Sequence, residues 1–186
     1  MEIQYRTLIH RFMNAFEANA AELEKLRERV DETFRRRGTG PEHVAAWEEA
    51  ARAFHAAYDR LAFPGGLGRE FELLKVGDVT AIEMAIQFLE ANPWYFRSGY
   101  IKADILKMLR KHALSDDQCA RMRKVVLERV RGRPVRETRV YARFAPKVST
   151  PQFEVEVLNV AENADRHAAR HAQWVLDCLK SAGKTP

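Results

Sequence analysis

A chain of 186 residues holds one domain with a sizeable core or a short stack of helical repeats, and does not require two domains. Apolar residues make up 46% and charged residues 31%, with nine Gly and seven Pro, which excludes a disordered chain and favours a helix-rich globular one. No apolar run is long enough to span a membrane, the N-terminus lacks a signal-peptide pattern, and Cys119 and Cys178 form no CxxC or secreted-type framework, so a cytoplasmic protein with two reduced, buried cysteines is expected.

The net charge of +5 is unevenly spread. Between Arg121 and Lys147 there are ten Lys or Arg residues against two acids, Glu128 and Glu137, which leaves the remainder of the chain at −3. A local positive field of this kind steers partners.

In chain order, Leu8, Ile9, Phe12, Phe16, Leu23, Leu26, Val30 and Phe34 recur at three- and four-residue spacings and predict an amphipathic helix of about thirty residues. Asn19 and Thr33 interrupt its heptad seam, which favours a helix lying along its own domain over a coiled coil, while pairing with a second copy of the chain stays open. Arg35-Arg36-Arg37-Gly38-Thr39-Gly40-Pro41 ends it with cations, a glycine stop and a proline for the next first turn. Val44, Trp47, Ala51, Phe54, Tyr58 and Leu61 then share one face of a second helix that returns antiparallel.

Phe63-Pro64-Gly65-Gly66-Leu67-Gly68 breaks the helical pattern and reads as a subdomain joint within a single domain spanning 1–186. The loop has neither GxxxxGK[ST] nor GxGxxG, so a nucleotide cradle lacks its signature. After a short helix near Phe71 to Val76, Thr80-x-x-Glu83 reads as a capping box with a Val79/Met84 staple, opening a helix that buries Ile82, Ala85, Ile86 and Leu89.

Asn92-Pro93 reads as an N-cap and first-turn proline, so that Trp94-Tyr95-Phe96 form a tight turn plugging the gap between helices. Ser98 would cap the next helix, with Ile101, Ile105, Met108 and Leu109 buried. Ser115-x-x-Gln118 is a second capping box with a Leu114/Cys119 staple, and its helix turns Met122, Val126 and Val130 inward before Gly132 and Pro134 end it. From Pro134 to Phe144 the placement of Val135, Tyr141 and Phe144 fits a helix, with a strand as the alternative. Phe153, Val157, Ala161, Ala164, Ala168, His171, Val175 and Cys178 predict one long closing helix from Pro151 to near Gly183, followed by a mobile tail.

No enzymatic signature stands out, and neither a cofactor nor a metal is expected. His167 and His171 share a helical face as two metal ligands would, but HExxH is absent and no Glu-x-x-His pair accompanies them. Glu48-Glu49 and Asp116-Asp117 point apart on their helices, and no serine sits in a nucleophile elbow.

Arg129, Arg131, Arg133, Arg136, Arg139 and Arg143, followed by Lys147, recur at two- to four-residue intervals. If Pro134 starts a helix, Arg136, Arg139 and Arg143 form one exposed stripe. Guanidinium groups without interleaved acids repel one another, so an anion lowers their energy: an acidic protein, a phosphate backbone, or carboxylates of the same fold such as Glu22, Glu24, Glu48 and Glu49. The corner with Trp94, Tyr95, Phe96 and Tyr100 around Arg97 is either core or a stacking platform, and Trp94 and Arg97 join the candidate binding residues.

From about Asp78 to Val130 the hairpins, with the Asn92-Pro93-Trp94 corner and the Ser115-Asp116-Asp117-Gln118 restart, resemble HEAT-like α-helical repeat units. This resemblance implies a scaffold that presents a surface to a protein or to DNA. The expectation is therefore an all-α protein of six to eight helices, a short α-solenoid or irregular bundle, acting as a non-catalytic module. Its arginine-rich surface would recognise an acidic protein partner, with nucleic-acid binding as the alternative and no membrane contact.

Overall fold

The computed structural model describes the backbone of residues 2–183 and the side chains of residues 15–183. Helix is the regular structure throughout the described residues, as the apolar spacing requires: α1 Glu2–Arg36, α2 Pro41–Leu61, α3 Leu67–Val76, α4 Val79–Ala91, α5 Ser98–Leu109, α6 Asp116–Arg131, α7 Thr138–Phe144, α8 Pro151–Asn163 and α9 Arg166–Ala182. Short 3-10 turns occupy Arg37–Thr39 and Ala145–Val148. None of the described helices is long and apolar enough to cross a membrane. Contacts group into two compact units, residues 1–98 and 99–186. The side chains of Leu8, Ile9 and Phe12, and the tail 184–186, lie outside the described residues.

In the first unit α1 and α2 form the expected antiparallel hairpin. Asn19, one of the polar interruptions of the α1 seam, donates its side-chain N–H to the Leu61 carbonyl at 3.3 Å, satisfying an acceptor at the α2 C-terminus. At the other end of the hairpin Phe34 meets Trp47 edge to face, and the Arg37 guanidinium lies 3.7 Å over the Phe34 ring. Phe88 of α4 sits between Phe16 and Phe63, with ring centroids 5.5 and 5.1 Å away. Burying each such ring contributes about 1.5–3 kcal/mol relative to exposure. The Phe63–Gly68 break lies inside this unit, and Gly65 and Gly66 adopt φ of +83° and +90°, which side chains with a Cβ rarely accept.

The ends of α4 differ from expectation. Asp78, not the Thr80 box, caps its start: the carboxylate accepts the Ala81 N–H at 2.9 Å, and Val79 is exposed and staples nothing. The stronger capping side chain stood two residues earlier than the Thr-x-x-Glu spacing suggests. Asn92 closes α4 in the left-handed region, φ 47° and ψ 46°, instead of capping the following helix. Asparagine tolerates that conformation, and Pro93 cannot extend the helix. Ser98 is the first residue of α5, and its buried hydroxyl turns back to accept the Tyr95 N–H. Of the corner rings only Tyr95 is core. Its hydroxyl donates to the Ala62 carbonyl, and burial pushes its ionisation far above the ordinary 10.0. Trp94 is 76% exposed and plugs no gap.

The second unit is built on the expected faces, with Ile101, Ile105, Met108 and Leu109 of α5 and Met122, Val126 and Val130 of α6 all buried. The α6 capping box is formed on both sides: Ser115 Oγ accepts the Gln118 N–H at 3.2 Å and Gln118 Oε1 accepts the Ser115 N–H at 3.1 Å. Cys119 and Cys178 are half-buried free thiols, not fully buried. Within the 134–144 segment the helix α7 covers only Thr138–Phe144 and does not begin at Pro134. The Thr138 N–H closes a separate turn on the Val135 carbonyl before the Glu137 carbonyl starts the helix.

The single closing helix expected from Pro151 to Gly183 is two helices. Asp165 Oδ1 accepts the N–H groups of His167 (2.8 Å) and Ala168 (3.2 Å), and so starts α9 afresh. The apolar spacing continues across the break because each helix has its own inner face, Phe153, Val157 and Val160 on α8 and Ala168, His171, Ala172 and Val175 on α9. Ala164, expected on the buried face, is exposed at the junction.

The two amide donors hold the Asp165 carboxyl below its ordinary 3.8. A group depressed in the folded state stabilises fully above its unfolded value, and that contribution is lost as the pH falls through the folded value. Replacing Asp165 by Ala should lower the melting temperature at pH 7, with the gap from the parent closing below pH 3.8; calorimetry across that range checks it.

Candidate cationic binding surface

Helix α9 contacts α6, α7, α8 and the Ala145–Val148 turn, and its amphipathic face determines what lies on its flank. His171 is buried with Nδ1 3.2 Å from the Val130 carbonyl, while His167 faces solvent, so the two do not act as a pair. Among the described residues no group of three or more His, Cys, Asp or Glu side chains is placed to hold a metal ion. Trp174, one residue before the buried Val175, is half-buried on the side facing α7.

Arg139 and Arg143 stand four apart on α7, exposed on one face. The Arg139 guanidinium lies 4.7 Å from the Trp174 ring centre and that of Arg170, on α9 itself, lies 5.5 Å from it. Arg136 does not join them as a helical stripe, since it precedes α7; it donates to the Tyr100 hydroxyl at 3.0 Å and sits 6.0 Å from that ring. Arg129 is half-buried, 5.8 Å from the Tyr141 ring, and Arg131 and Arg133 are exposed at and beyond the end of α6. Arg97 and Trp94 belong to the first unit. Arg97 has φ of 67° and lies 5.3 Å from the Phe96 ring, which Arg27 also covers at 4.4 Å.

Two hollows adjoin on this face through Arg143, Asp177 and Cys178, and Trp174 lines the smaller. One, of about 610 Å³, is lined by Arg110, Arg143, Pro146, Lys147, Asp177, Cys178, Ser181 and Ala182. The other, of about 260 Å³, is lined by Arg139, Ala142, Arg143, Trp174, Asp177 and Cys178. Among the described residues Asp177 is the one carboxylate in either lining, and its oxygen accepts from the Gln173 side-chain amide at 2.7 Å. Among the described residues none of Arg110, Arg129, Arg131, Arg133, Arg136, Arg139, Arg143, Lys147 or Arg170 forms an ion pair. Glu24 and Glu48, candidate neutralising acids, are engaged inside the first unit, Glu24 with the Phe96 N–H at 2.7 Å and Glu48 with Arg52 at 3.9 Å.

Burial pushes the Cys178 thiol above its ordinary value despite the opposing pull of Arg143, so at neutral pH it is a thiol and not a nucleophilic thiolate. Below the surface, Lys102 is buried on α5. Burial, reinforced by the Arg129 charge and opposed by Glu137, lowers its pKa to about 8. Sequence reasoning had not singled out Lys102, Arg110, Arg170 or Trp174. The available signal for the last two was their i, i+4 spacing beside the apolar face of α9.

No protein-family model, curated protein or solved structure matches this chain.

Because Arg143 has no carboxylate partner, Arg143→Gln should leave the unfolding free energy within about 0.5 kcal/mol of the parent. Arg139→Gln should cost about 0.5–1 kcal/mol through loss of its contact with Trp174. Denaturant titration distinguishes the two. Lys102 generates a pH signature of the opposite sense to Asp165. Its folded value near 8 lies below the ordinary 10.5, so the unfolded chain binds more protons in between and stability climbs as pH rises from 8 towards 10. Replacement of Lys102 by Met should flatten that rise in denaturation curves.

Proposed function

We propose that the protein is a non-catalytic, cytoplasmic binding module whose second unit recognises an acidic segment of a protein partner. The observation that carries this reading is a half-buried tryptophan, Trp174, set among exposed Arg139, Arg143 and Arg170, with Arg110 and Lys147 lining the adjoining hollow and one acid between them. Unpaired guanidinium groups beside an aromatic ring favour a ligand that offers carboxylates and some apolar surface together. Arg129, Arg131, Arg133 and Arg136 extend the positive field along the chain before α7, and a field of one sign raises the rate of encounter with an acidic partner. Trp94 and Arg97 in the first unit are a further contact in the same reading. The hairpins of 78–130 are read as HEAT-like repeat units, the scaffold type that presents such surfaces.

Nucleic-acid binding is the second reading, favoured by the alternation of arginine with the rings of Tyr100 and Trp174. The two separate by salt. Contacts to a phosphate backbone weaken steeply and linearly with log salt, whereas a partner held partly by Trp174 loses less. Protein isolated on the immobilised chain from nuclease-treated lysate should be released by Arg139→Glu with Arg143→Glu, with circular dichroism unchanged, and should bind with a shallow salt dependence when purified. Retention of nucleic acid in its place, with a steep salt slope, overturns the first reading in favour of the second. No change on charge reversal removes the surface from both.

A further inference from the structure

The larger hollow has a charge that the proposed acidic partner does not by itself explain. Its cations come from three separate elements: Arg110 just beyond α5, Arg143 on α7 and Lys147 in the following 3-10 turn. Against these stands Asp177, whose carboxylate is turned to Gln173, so the described residues lining the hollow carry two net positive charges in about 610 Å³. The Ser181 hydroxyl donates to the Asp177 carbonyl at 2.8 Å, which leaves the three cations as the side-chain donors with N–H groups free for a ligand.

Resting on the reading above, we infer that this hollow receives a phosphorylated side chain of the partner segment, with residues beside the phosphate lying against Trp174. A phosphomonoester carries close to two negative charges at neutral pH and three acceptor oxygens, which matches a hollow lined by three cations and one acid. Carboxylates bring one charge and two oxygens. The diester of a nucleic-acid backbone brings one charge per phosphate, and it suits an extended track of cations better than a single cationic hollow adjoined by one that Trp174 lines. The smaller hollow, lined by Arg139 and Trp174, adjoins through Arg143, Asp177 and Cys178, so a continuous segment can occupy both. Specificity then divides between a dianion in one hollow and apolar contact in the other.

The test uses the full chain and three short peptides of Glu and Ala with one leucine, differing at a central position that is Ser, phosphoserine or Glu. Phosphoserine should bind about tenfold more tightly than Glu, the equivalent of one charge-assisted hydrogen bond. Arg110→Gln with Lys147→Gln, two exposed positions, should abolish that advantage while leaving the Glu peptide bound and the circular dichroism unchanged. Position is read independently by alkylation: the phosphopeptide should shield Cys178, which lines both hollows, and leave Cys119 unaffected. Equal affinity for the phosphoserine and Glu peptides overturns the inference while leaving the acidic-partner reading intact. Failure of all three peptides overturns both. Inorganic phosphate that competes at concentrations equal to the phosphopeptide rejects a protein segment as the source, and tighter binding of a single-stranded oligonucleotide rejects it in favour of nucleic acid.

Discussion

The second unit depends on how α9 is seated. Ala168, His171, Ala172 and Val175 are all buried, and the His171 ring is fixed against the Val130 carbonyl at the end of α6. A helix held on that face can rotate little without exposing apolar surface or leaving a buried imidazole and carbonyl unpaired, each costing about 1–3 kcal/mol. Trp174, Asp177, Cys178 and Ser181 therefore occupy a fixed flank towards α7. Asp165 sets where this helix begins, and so which residues fall on that flank. The candidate surface follows from packing and helix capping before any ligand is considered.

Charge then accumulates on this frame with little internal neutralisation. Elsewhere cations tend to find acids one helical turn away, as Arg27 does with Asp31, Arg36 with Glu32 and Lys107 with Asp104. The residue one turn after Arg139 on α7 is Arg143, and Val135 and Arg136, which precede the helix, bring no acid, so the pattern that neutralises other helices is missing. The guanidinium groups rest on rings instead, Arg139 and Arg170 on Trp174 and Arg136 on Tyr100. Such contacts orient a cation without neutralising it, leaving its outward N–H groups for a ligand. Lys102 shows the same field from beneath: the charge of Arg129 helps depress its pKa.

The fold class was legible because amphipathic spacing reports burial directly, and Met122, Val126, Val130, Ile101 and Ile105 all lie where that spacing puts them. Caps were legible where one side chain had no rival, as at Ser115. They were misplaced where two candidates competed: Asp78 lies two residues before Thr80, and Asn92 suits either end of a helix. The break at Asp165 was hidden because two helices with separate inner faces reproduced the rhythm of one. At the site, the sequence revealed the arginines and not their grouping. Arg139 and Arg170 share Trp174 only through the packing of α7 on α9, Arg143 shares its hollow with Arg110 and Lys147 from two further elements, and Trp174 itself resembles one more member of an apolar face. Trp94 has the opposite history, since a core-like aromatic corner left it exposed.

The most direct test of a cationic surface organised around Trp174 is the NMR signal of its indole N–H during titration with polyglutamate at physiological salt, with Trp47 and Trp94 as internal comparisons in the same spectrum. The account predicts a saturable shift of the Trp174 resonance, lost in the Arg139→Glu, Arg143→Glu protein, while that of Trp47 stays in place. An unmoved Trp174 signal, or equal shifts at all three indoles, would contradict it.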